Sequence, residues 1–408
     1  MLVRSVGDIS KKAVTTLDIT INTEQVIEDT KQLVKIDSQN PGPREGACVD
    51  WLGSRLQSMG VDLTVQSVEP GRDNLIAVIP GRGEGPRLVL SAHTDVVPVG
   101  DGWTKPAFDA VVQNGKLYGR GSADMKSGLA VGLGVIEALT QSGPPAADVV
   151  LALTVDEEAP QMKGVHKLVE DGFIQDTDQV VALEPTGLFL RIAHVGLRWM
   201  NVTTYGRMAH AGRAHLGVDA NHIMAEAICA LKTKVAALPY EDPLLGKVRF
   251  TCGTLNGGVA TNVVPGRCDA QFDLRLVPPM TKDEVESLVQ DTFAEVLGKF
   301  ADAEYQGKFE IGGLGVARPP IRAADDAKIV TGLQAAYQQA TGHLLHSGGA
   351  DGHEAYTDAA MIAALNGSRS CVAFGPGSSD IAHIADEFVP LSDIDTACRV
   401  MEALVKAW

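Results

Sequence analysis

The sequence predicts an α/β protein with a mostly parallel central sheet, interrupted by a smaller α+β insert. Three short apolar runs support the sheet: Leu88–Ala92, Val149–Thr154 and Val180–Leu183. Continuous apolar strands of this kind are typical of parallel sheets that are buried on both faces. The pattern changes near residue 194 and returns after Pro319-Pro320, which predicts the insert.

The first part of the chain alternates predicted helices and strands. Residues 23–60 have helical spacing of apolar side chains, broken at Pro41-Gly42-Pro43, so a second helix is expected at about 45–59. Two strand-like runs, 61–68 and 74–79, precede the first buried strand, and residues 127–139 carry an apolar stripe of helical period.

The insert is predicted from the order of its elements. Strands are expected at 195–205, 247–255, 267–277 and 308–314, and helices at 219–235 and 281–299. This strand-helix-strand-strand-helix-strand order is ferredoxin-like. Beyond the insert we expect helices at 325–341 and 354–365 and a buried strand at Cys371–Phe374. One discontinuous domain, 1–193 and 318–408, is therefore expected to enclose an inserted domain, 194–317.

Length, charge and cysteine content predict the number of domains, the partners that are excluded and the cellular compartment. The chain has 408 residues, which favours two domains, and a formal net charge of −16. A negative field of this size repels phosphate groups, so nucleic acids and anionic membranes are not expected as partners. The six cysteines form no C-x-x-C pair and favour free thiols in a reducing compartment. With no leader-like or membrane-spanning apolar segment, the sequence predicts a cytoplasmic protein.

Four segments concentrate the side chains that could carry chemistry. They are S-A-H-T-D-V-V-P (91–98), G-R-G-S-A-D-M-K-S-G (119–128), D-E-E (156–158) and F-G-P-G-S-S-D-I-A-H (374–383). Open α/β sheets bind ligands beyond the carboxyl ends of their strands. We therefore expect the acidic and histidine residues that follow the apolar strands to converge there: His93, Asp95, Glu157, Glu158 and Glu184. Histidines and carboxylates in one cleft favour a dinuclear metal site of the zinc type.

In this order the segments resemble the M20 family of metallopeptidases and amidohydrolases, whose members include deacylases, desuccinylases and carboxypeptidases. The resemblance extends over residues 24–408 and depends on H-T-D-V-V-P, G-R-G-x-x-D-M-K-x-G and D-E-E. It implies that the discontinuous domain is a metal-binding catalytic domain. It also implies that the insert is a lid and dimerisation domain, so that the protein is a homodimer.

The resemblance further implies a set of metal ligands. His93 and Glu184 would hold one divalent ion, Glu158 and His383 would hold a second, and Asp124 would bridge both. The family places a cis peptide bond after this aspartate. Zinc is the expected metal, with cobalt and manganese as alternatives, because sites of histidine and carboxylate accept all three.

Two residues next to the ligands have implied catalytic roles. Asp95 would support His93, and Glu157 would be the general base that takes a proton from the attacking water and returns it to the leaving amine.

Other matching residues would contact substrate. In the insert, G-R-M-A-H-A-G-R-A-H-L-G-V-D-A (206–220) resembles the lid motif, and His210 would reach the active site of a partner subunit to stabilise the oxyanion. Asn262 and Arg275 match positions that contact substrate, and Gly375 to Gly377 would line the pocket.

Two positions depart from the family pattern. His353, in A-D-G-H (350–353), stands where relatives often carry the arginine of T-D-A-R or S-D-G-R, and Val195 stands where they often carry a basic residue. We retain His353 as a candidate substrate-binding residue, although histidine lacks the bidentate fork of arginine.

The sequence therefore predicts a dinuclear-metal hydrolase that cleaves the amide bond of an N-acyl amino acid or a small peptide. One alternative uses the same site for another small-molecule hydrolysis, such as deamination or carbamoyl hydrolysis. A second is a catalytically silent binding protein, which predicts a missing ligand, whereas the ligand set is complete. A serine hydrolase is disfavoured because the sequence has no G-x-S-x-G.

Overall fold

The computed structural model describes residues 17–41, 45–301, 305, 307–347 and 356–408. Its strands in chain order are β1 (Leu63–Glu69), β2 (Arg72–Ile79), β3 (Leu88–His93), β4 (Val111–Gln113), β5 (Lys116–Tyr118), β6 (Val149–Thr154), β7 (Gln179–Ala182), β8 (Ala193–His194), β9 (Gly196–Tyr205), β10 (Glu241–Asp242), β11 (Gly246–Lys247), β12 (Arg249–Gly257), β13 (Arg267–Leu276), β14 (Lys308–Arg318), β15 (Ile321–Arg322), β16 (Cys371–Ala373) and β17 (Phe388–Pro390). Its α-helices are α1 (Thr23–Val34), α2 (Gly46–Ser58), α3 (Ser127–Thr140), α4 (Lys163–Glu170), α5 (Ala220–Ala236), α6 (Lys282–Gly298), α7 (Lys328–Thr341), α8 (Asp358–Asn366) and α9 (Leu391–Ala407).

The central sheet has the strand order β1-β2-β6-β3-β7-β16. β6, β3, β7 and β16 pair in parallel, and β2 runs antiparallel to both of its neighbours. Because β16 lies near the end of the chain, the polypeptide leaves this sheet after β7 and later returns to it. The predicted α/β fold with a mostly parallel sheet is confirmed.

Helices cover both faces of the central sheet, which explains its continuous apolar strands. Along β3, Leu88 and Leu90 belong to the core packed against α1, α3 and α9, whereas Val89 belongs to the core packed against α4 and α8. Successive side chains of a strand point to opposite faces, so the apolar residues of β3 meet an apolar layer on either side of the sheet.

A second sheet has the order β12-β13-β9-β14, with all neighbours antiparallel. Helices α5 and α6 share a separate hydrophobic core with it. Its elements follow one another along the chain in the strand-helix-strand-strand-helix-strand order that the sequence predicts.

The chain crosses between the two sheets twice, and the crossings pair with each other. β8 and β15 form a two-stranded antiparallel ribbon in which His194 lies opposite Ile321. The expected domain boundaries at 193/194 and 317/318 fall beside this ribbon and stay a prediction.

Two further sequence expectations concern thiols and membranes. All six cysteines are free, as expected. Within the described ranges, no helix combines the length and the apolar character that crossing a membrane requires.

Candidate active site

The parallel strands deliver the candidate residues to one edge of the central sheet. His93 is the last residue of β3, Glu157 and Glu158 follow β6, and Glu184 follows β7. His383 arrives from the loop after β16. Since these strands run in the same direction, their carboxyl ends meet, and the predicted convergence of these side chains is observed.

Two groups of potential ligand atoms lie at this edge and share one aspartate. His93, Asp124 and Glu184 form the first cluster, and Asp124, Glu158 and His383 form the second. Within each cluster the ligand atoms lie within 4.8 Å of one another. His93 Nε2 lies 3.2 Å from Asp124 Oδ1, and His383 Nε2 lies 3.3 Å from Asp124 Oδ2. The two carboxylate oxygens of Asp124 therefore face different clusters, as a bridging ligand requires.

Asp124 is held by a buried ion pair. Oε1 of Glu387 accepts hydrogen bonds from the backbone N–H groups of Ala123 (2.9 Å) and Asp124 (3.1 Å), while its other oxygen pairs with Arg120. Neither Glu387 nor Arg120 is more than 1% exposed. The peptide bond Asp124–Met125 is cis, as the resemblance implies.

Asp95 contacts both His93 and the two glutamates that follow β6. His93 Nδ1 lies 2.9 Å from the main-chain oxygen of Asp95, but 3.6 Å from its carboxylate. The carboxylate instead accepts the backbone N–H groups of Glu157 (3.2 Å) and Glu158 (3.1 Å), and the side-chain amide of Asn40 (2.7 Å). Asp95 therefore orients His93 through its backbone and fixes the turn that carries both glutamates through its side chain.

Glu157 lies beside the two clusters and belongs to neither. Its Oε2 is 4.0 Å from His93 Nε2, and the residue is 9% exposed. Burial, reinforced by the neighbouring carboxylates of Glu184 and Glu158, raises the pKa of Glu157 well above its ordinary value. A carboxylate near the ligands, with a raised affinity for protons, is suited to proton transfer at neutral pH.

Burial and neighbouring charges shift the pKa values of the clustered groups. Burial, together with nearby Asp124, raises the pKa of Glu184 to about 8. Hydrogen bonds to Asp124 and Glu158 raise the pKa of His383 to about 11. Burial disfavours the charged form of Asp124, but its hydrogen bonds to His383 and His93 outweigh that effect and lower its pKa. The site thus concentrates negative charge that needs compensating positive charge.

A cavity of about 370 Å³ opens over the clusters. The ligand side of the cavity is formed by Asp124, Glu157, Glu158, Ala159, Pro160, Glu184 and His383. The other side is formed by Leu197, Trp199, Arg275, Arg318, Tyr356 and Thr357. Most of this second group comes from β9, β13 and β14, so the antiparallel sheet faces the ligand clusters across the cavity.

Of the predicted substrate-contacting residues that the structure describes, one lines this cavity. Arg275 lines it, whereas His210 and Asn262 lie together elsewhere in the antiparallel-sheet region. There the Asn262 carbonyl accepts the N–H of Ala211 (2.9 Å), and Nδ1 of His210 accepts the N–H of Gly212 (3.0 Å). Within one chain, His210 is therefore not part of the cavity wall that the structure describes.

The predicted glycines lie next to the backbone of residues 184 and 185, behind the candidate ligand Glu184. A Cβ atom at Gly375 would lie 2.7 Å from the backbone oxygen of Glu184, and Gly377 has a φ of 80°. These positions shape the backbone that carries Glu184, and neither glycine contributes to the described lining of the cavity. His353 lies outside the described residues.

Several cavity and supporting residues were not predicted from the sequence. Arg318 and Trp199 line the cavity, and Glu387 holds Asp124. Asp358, at the start of α8, is 2% exposed and accepts a hydrogen bond from Thr154 at the end of β6. A signal for Asp358 was available, because T-D-A at 357–359 matches the first three letters of T-D-A-R.

Comparisons with known proteins agree with this arrangement. The sequence profile of peptidase family M20/M25/M40 matches residues 89–407. A probable succinyl-diaminopimelate desuccinylase of Staphylococcus aureus is 27% identical, over 91% of this chain and 94% of the relative.

Solved structures share the fold. A tripeptidase from Staphylococcus aureus superposes with a TM-score of 0.77 at 22% identity, covering 95% of this chain and 99% of its own. A dinuclear metal binding peptidase of the M20 family from Bacillus subtilis gives 0.68 at 14% identity, covering 94% and 98%. The chain belongs to peptidase family M20/M25/M40 and is a metal-dependent hydrolase.

Proposed function

We propose that this protein hydrolyses the amide bond of an N-acyl amino acid or a small peptide, with two divalent metal ions and Glu157 as general base. The observation that carries the proposal is the pair of ligand clusters sharing Asp124, with Glu157 beside both and part of neither. The names of the relatives, a desuccinylase and a tripeptidase, support an amide bond in a small substrate.

The donor set fits two divalent ions. Each cluster offers one histidine nitrogen and carboxylate oxygens, a combination suited to zinc and also acceptable to cobalt or manganese. The four cavity-lining carboxylates of Asp124, Glu157, Glu158 and Glu184 carry up to four negative charges, which two divalent cations would balance. When bound, such ions acidify water and polarise a carbonyl oxygen.

Glu157 is proposed to carry the proton from water to the leaving amine. Its raised pKa allows the carboxylate to take a proton near neutral pH and then to give it up to a more basic nitrogen. The Asp95 carboxylate keeps Glu157 in place by accepting its backbone N–H. This division of roles leaves the cluster carboxylates free to remain ligands.

His210 is proposed to act from a second copy of the chain. Its position outside the cavity of its own subunit supports a homodimer in which the antiparallel-sheet region of one subunit reaches the cavity of the other. The six free thiols support a reducing compartment, and we propose the cytoplasm as the site of action.

The test is reconstitution of the metal-free protein with zinc, cobalt or manganese, followed by assays on N-acyl amino acids, dipeptides and tripeptides. We expect metal-dependent turnover, and a loss of several orders of magnitude in kcat for Glu157→Gln with unchanged metal content. Glu170→Gln, an exposed glutamate on α4, is the matched control and should retain full activity. Turnover of Glu157→Gln at the wild-type rate, or no hydrolysis by any metal form, would refute the proposal.

A further inference from the structure

The turn that carries the proposed general base begins with a residue in an uncommon backbone conformation. Asp156 follows β6, directly precedes Glu157, and has a φ of 69°. Residues other than glycine seldom adopt this left-handed region, and they stay there only where their surroundings hold them. Asp156 is 3% exposed, so the groups that hold it belong to the protein itself.

Three donors from separate parts of the chain converge on the Asp156 carboxylate. Nη1 of Arg72, the first residue of β2, lies 2.9 Å from Oδ1, and the side-chain amide of Asn40 donates to the same oxygen at 3.2 Å. The backbone N–H of Lys163, the first residue of α4, donates to Oδ2 at 3.2 Å. Of these three donors only that of Arg72 is charged, so its contact is expected to be the strongest.

Asn40 joins this carboxylate to a second one that holds the same turn. The amide nitrogen of Asn40 also donates to Asp95 Oδ2 at 2.7 Å. The Asp95 carboxylate in turn accepts the backbone N–H groups of Glu157 and Glu158, at 3.2 and 3.1 Å. The backbone of both glutamates is therefore held from two sides, by Asp95 and by Asp156.

Arg72 has a second attachment, on the other edge of its guanidinium fork. Its Nε lies 3.0 and 3.1 Å from the two carboxylate oxygens of Glu45, and its Nη2 also pairs with Glu45. Its Nη1, which contacts Asp156, lies 3.5 Å from Glu69 as well. Arg72 and Glu45 are both buried. One planar fork thus spans two buried carboxylates, which the compact ammonium group of a lysine could not do.

We propose that Arg72 is a positioning residue for the general base. By holding the Asp156 carboxylate it keeps the turn in its left-handed conformation, and the turn sets where Glu157 and Glu158 point. Arg72 does not belong to the described lining of the cavity, so its effect on the reaction is indirect. The inference deepens the proposed function and rests on it, because that function makes Glu157 the base and Glu158 a metal ligand.

A purely structural role would act through Glu45 instead. Arg72 begins β2 and Glu45 directly precedes α2, so an ion pair between them would only fasten the helix to the sheet. Two substitutions separate the two roles, since Glu45→Gln weakens the attachment of the helix and Asp156→Asn weakens the attachment of the turn. Asparagine also tolerates the left-handed region, so Asp156→Asn removes the charge without forcing a new backbone conformation.

The kinetic experiment compares these variants as zinc-loaded proteins on the best substrate of the panel. Losing a group that orients a metal ligand typically costs about 10- to 100-fold in metal affinity or activity. We expect that loss in kcat for Asp156→Asn and at least about tenfold for Arg72→Lys, with KM nearly unchanged because the cavity wall is untouched. Glu45→Gln is the matched control, and it should unfold at lower urea while keeping the wild-type kcat.

A double variant tests whether Arg72 acts through Asp156. Arg72→Lys should lower kcat no further in the Asp156→Asn background, because the contact between the two side chains is already weakened there. We choose Arg72→Lys over Arg72→Met because lysine keeps a cation beside both buried carboxylates. Losses that multiply in the double variant would overturn the inference. An equal loss of kcat in Glu45→Gln and Asp156→Asn would overturn it too, as would wild-type kcat in Arg72→Lys.

Metal titration decides the inference separately from the proposed function. Glu158 belongs to one ligand cluster, whereas His93 and Glu184 reach the other cluster from β3 and β7. With cobalt as the probe, the affinity of one site should fall about tenfold in Asp156→Asn and in Arg72→Lys, and both affinities should persist in Glu45→Gln. If wild-type protein hydrolyses no member of the panel, the proposed function fails. In that case, unchanged cobalt affinities in Asp156→Asn and Arg72→Lys would overturn the Arg72 inference, and the expected fall would support it.

Discussion

Glu387 offers the sharpest test of how the shared aspartate is positioned. Its carboxylate is fully buried, pairs with the equally buried Arg120, and accepts the backbone N–H groups of Ala123 and Asp124 at 2.9 and 3.1 Å. One buried anion therefore satisfies one buried cation and two buried donors. Removing that anion should disturb both stability and the geometry of Asp124.

The expected magnitude follows from these contacts. Glu387→Ala leaves Arg120 as an uncompensated buried charge, which costs about 3–5 kcal/mol. A buried N–H left without an acceptor costs about 1–3 kcal/mol more, although the two effects overlap. We expect a loss of about 5 kcal/mol in the free energy of unfolding for Glu387→Ala. Glu387→Gln keeps one acceptor oxygen and should lose about 3 kcal/mol.

Urea unfolding and metal titration with a chromophoric chelator would measure the two consequences. Both variants should unfold at lower urea, and both metal affinities should fall, because Asp124 belongs to both clusters. Glu295→Gln is the matched control, since Glu295 also forms an ion pair, with Lys234 at 2.7 Å, but is exposed. Its unfolding midpoint should stay close to that of the wild type. A Glu387→Ala protein with wild-type stability and metal affinity would contradict the reasoning.

Three further predictions follow from the site and its supports. Asp95→Asn should lower kcat about 100-fold and the free energy of unfolding by about 1–3 kcal/mol, because the asparagine amide would present an N–H donor, in place of a carboxylate oxygen, to the backbone N–H of one of the two glutamates; unchanged kcat would contradict this role. Gly128→Ala should cost at least about 1–3 kcal/mol in thermal unfolding, since its Cβ would lie 1.8 Å from a backbone oxygen, whereas Gly143→Ala, with open space around it, should be neutral. Metal-free protein should lose stability as pH rises from about 5 to 8. The pKa of Glu184, raised from 4.5 to about 8, makes the folded state retain a proton that the unfolded state releases, and the raised pKa of His383 has the same sign up to about 11. Thermal unfolding across this range should show the decline, and a rise of the melting temperature would refute it.

The convergence of the candidate metal ligands was predictable because the sequence marks the ends of its buried strands. Apolar runs covered on both faces stop where polar residues begin, and parallel pairing then places His93, Glu158 and Glu184 at one edge. Arg318 and Glu387 were not predictable in this way. Each acts on a residue more than 150 positions away, Ala159 and Asp124 respectively, and no local pattern encodes such a contact.

Two helices that the sequence analysis did not predict were missed for different reasons. α4 has eight residues and begins after Met162, whose φ of 47° and side chain provide no standard N-terminal cap. α9 carries an evident signal, because buried residues at helical spacing, such as Ile394, Cys398 and Met401, follow Pro390. The apolar spacing of α9 could therefore have been predicted from the sequence. α4 instead depends on packing against β1 and β2 and on the hydrophobic cluster that it shares with α8.

Gathering several carboxylates in one site lowers the stability of the folded protein when no cations are bound. Three of its carboxylates, Glu157, Glu158 and Glu184, have pKa values raised chiefly by burial, while Asp124 stays ionised because two histidines compensate it. In metal-free protein, bound protons and imidazolium groups therefore compensate the carboxylates in place of metal ions. These protons dissociate as pH rises. Divalent ions would supply that charge at neutral pH and keep the carboxylates ionised as ligands. Folding stability and metal loading are consequently coupled through the same side chains, so a substitution such as Glu387→Ala should affect both quantities together.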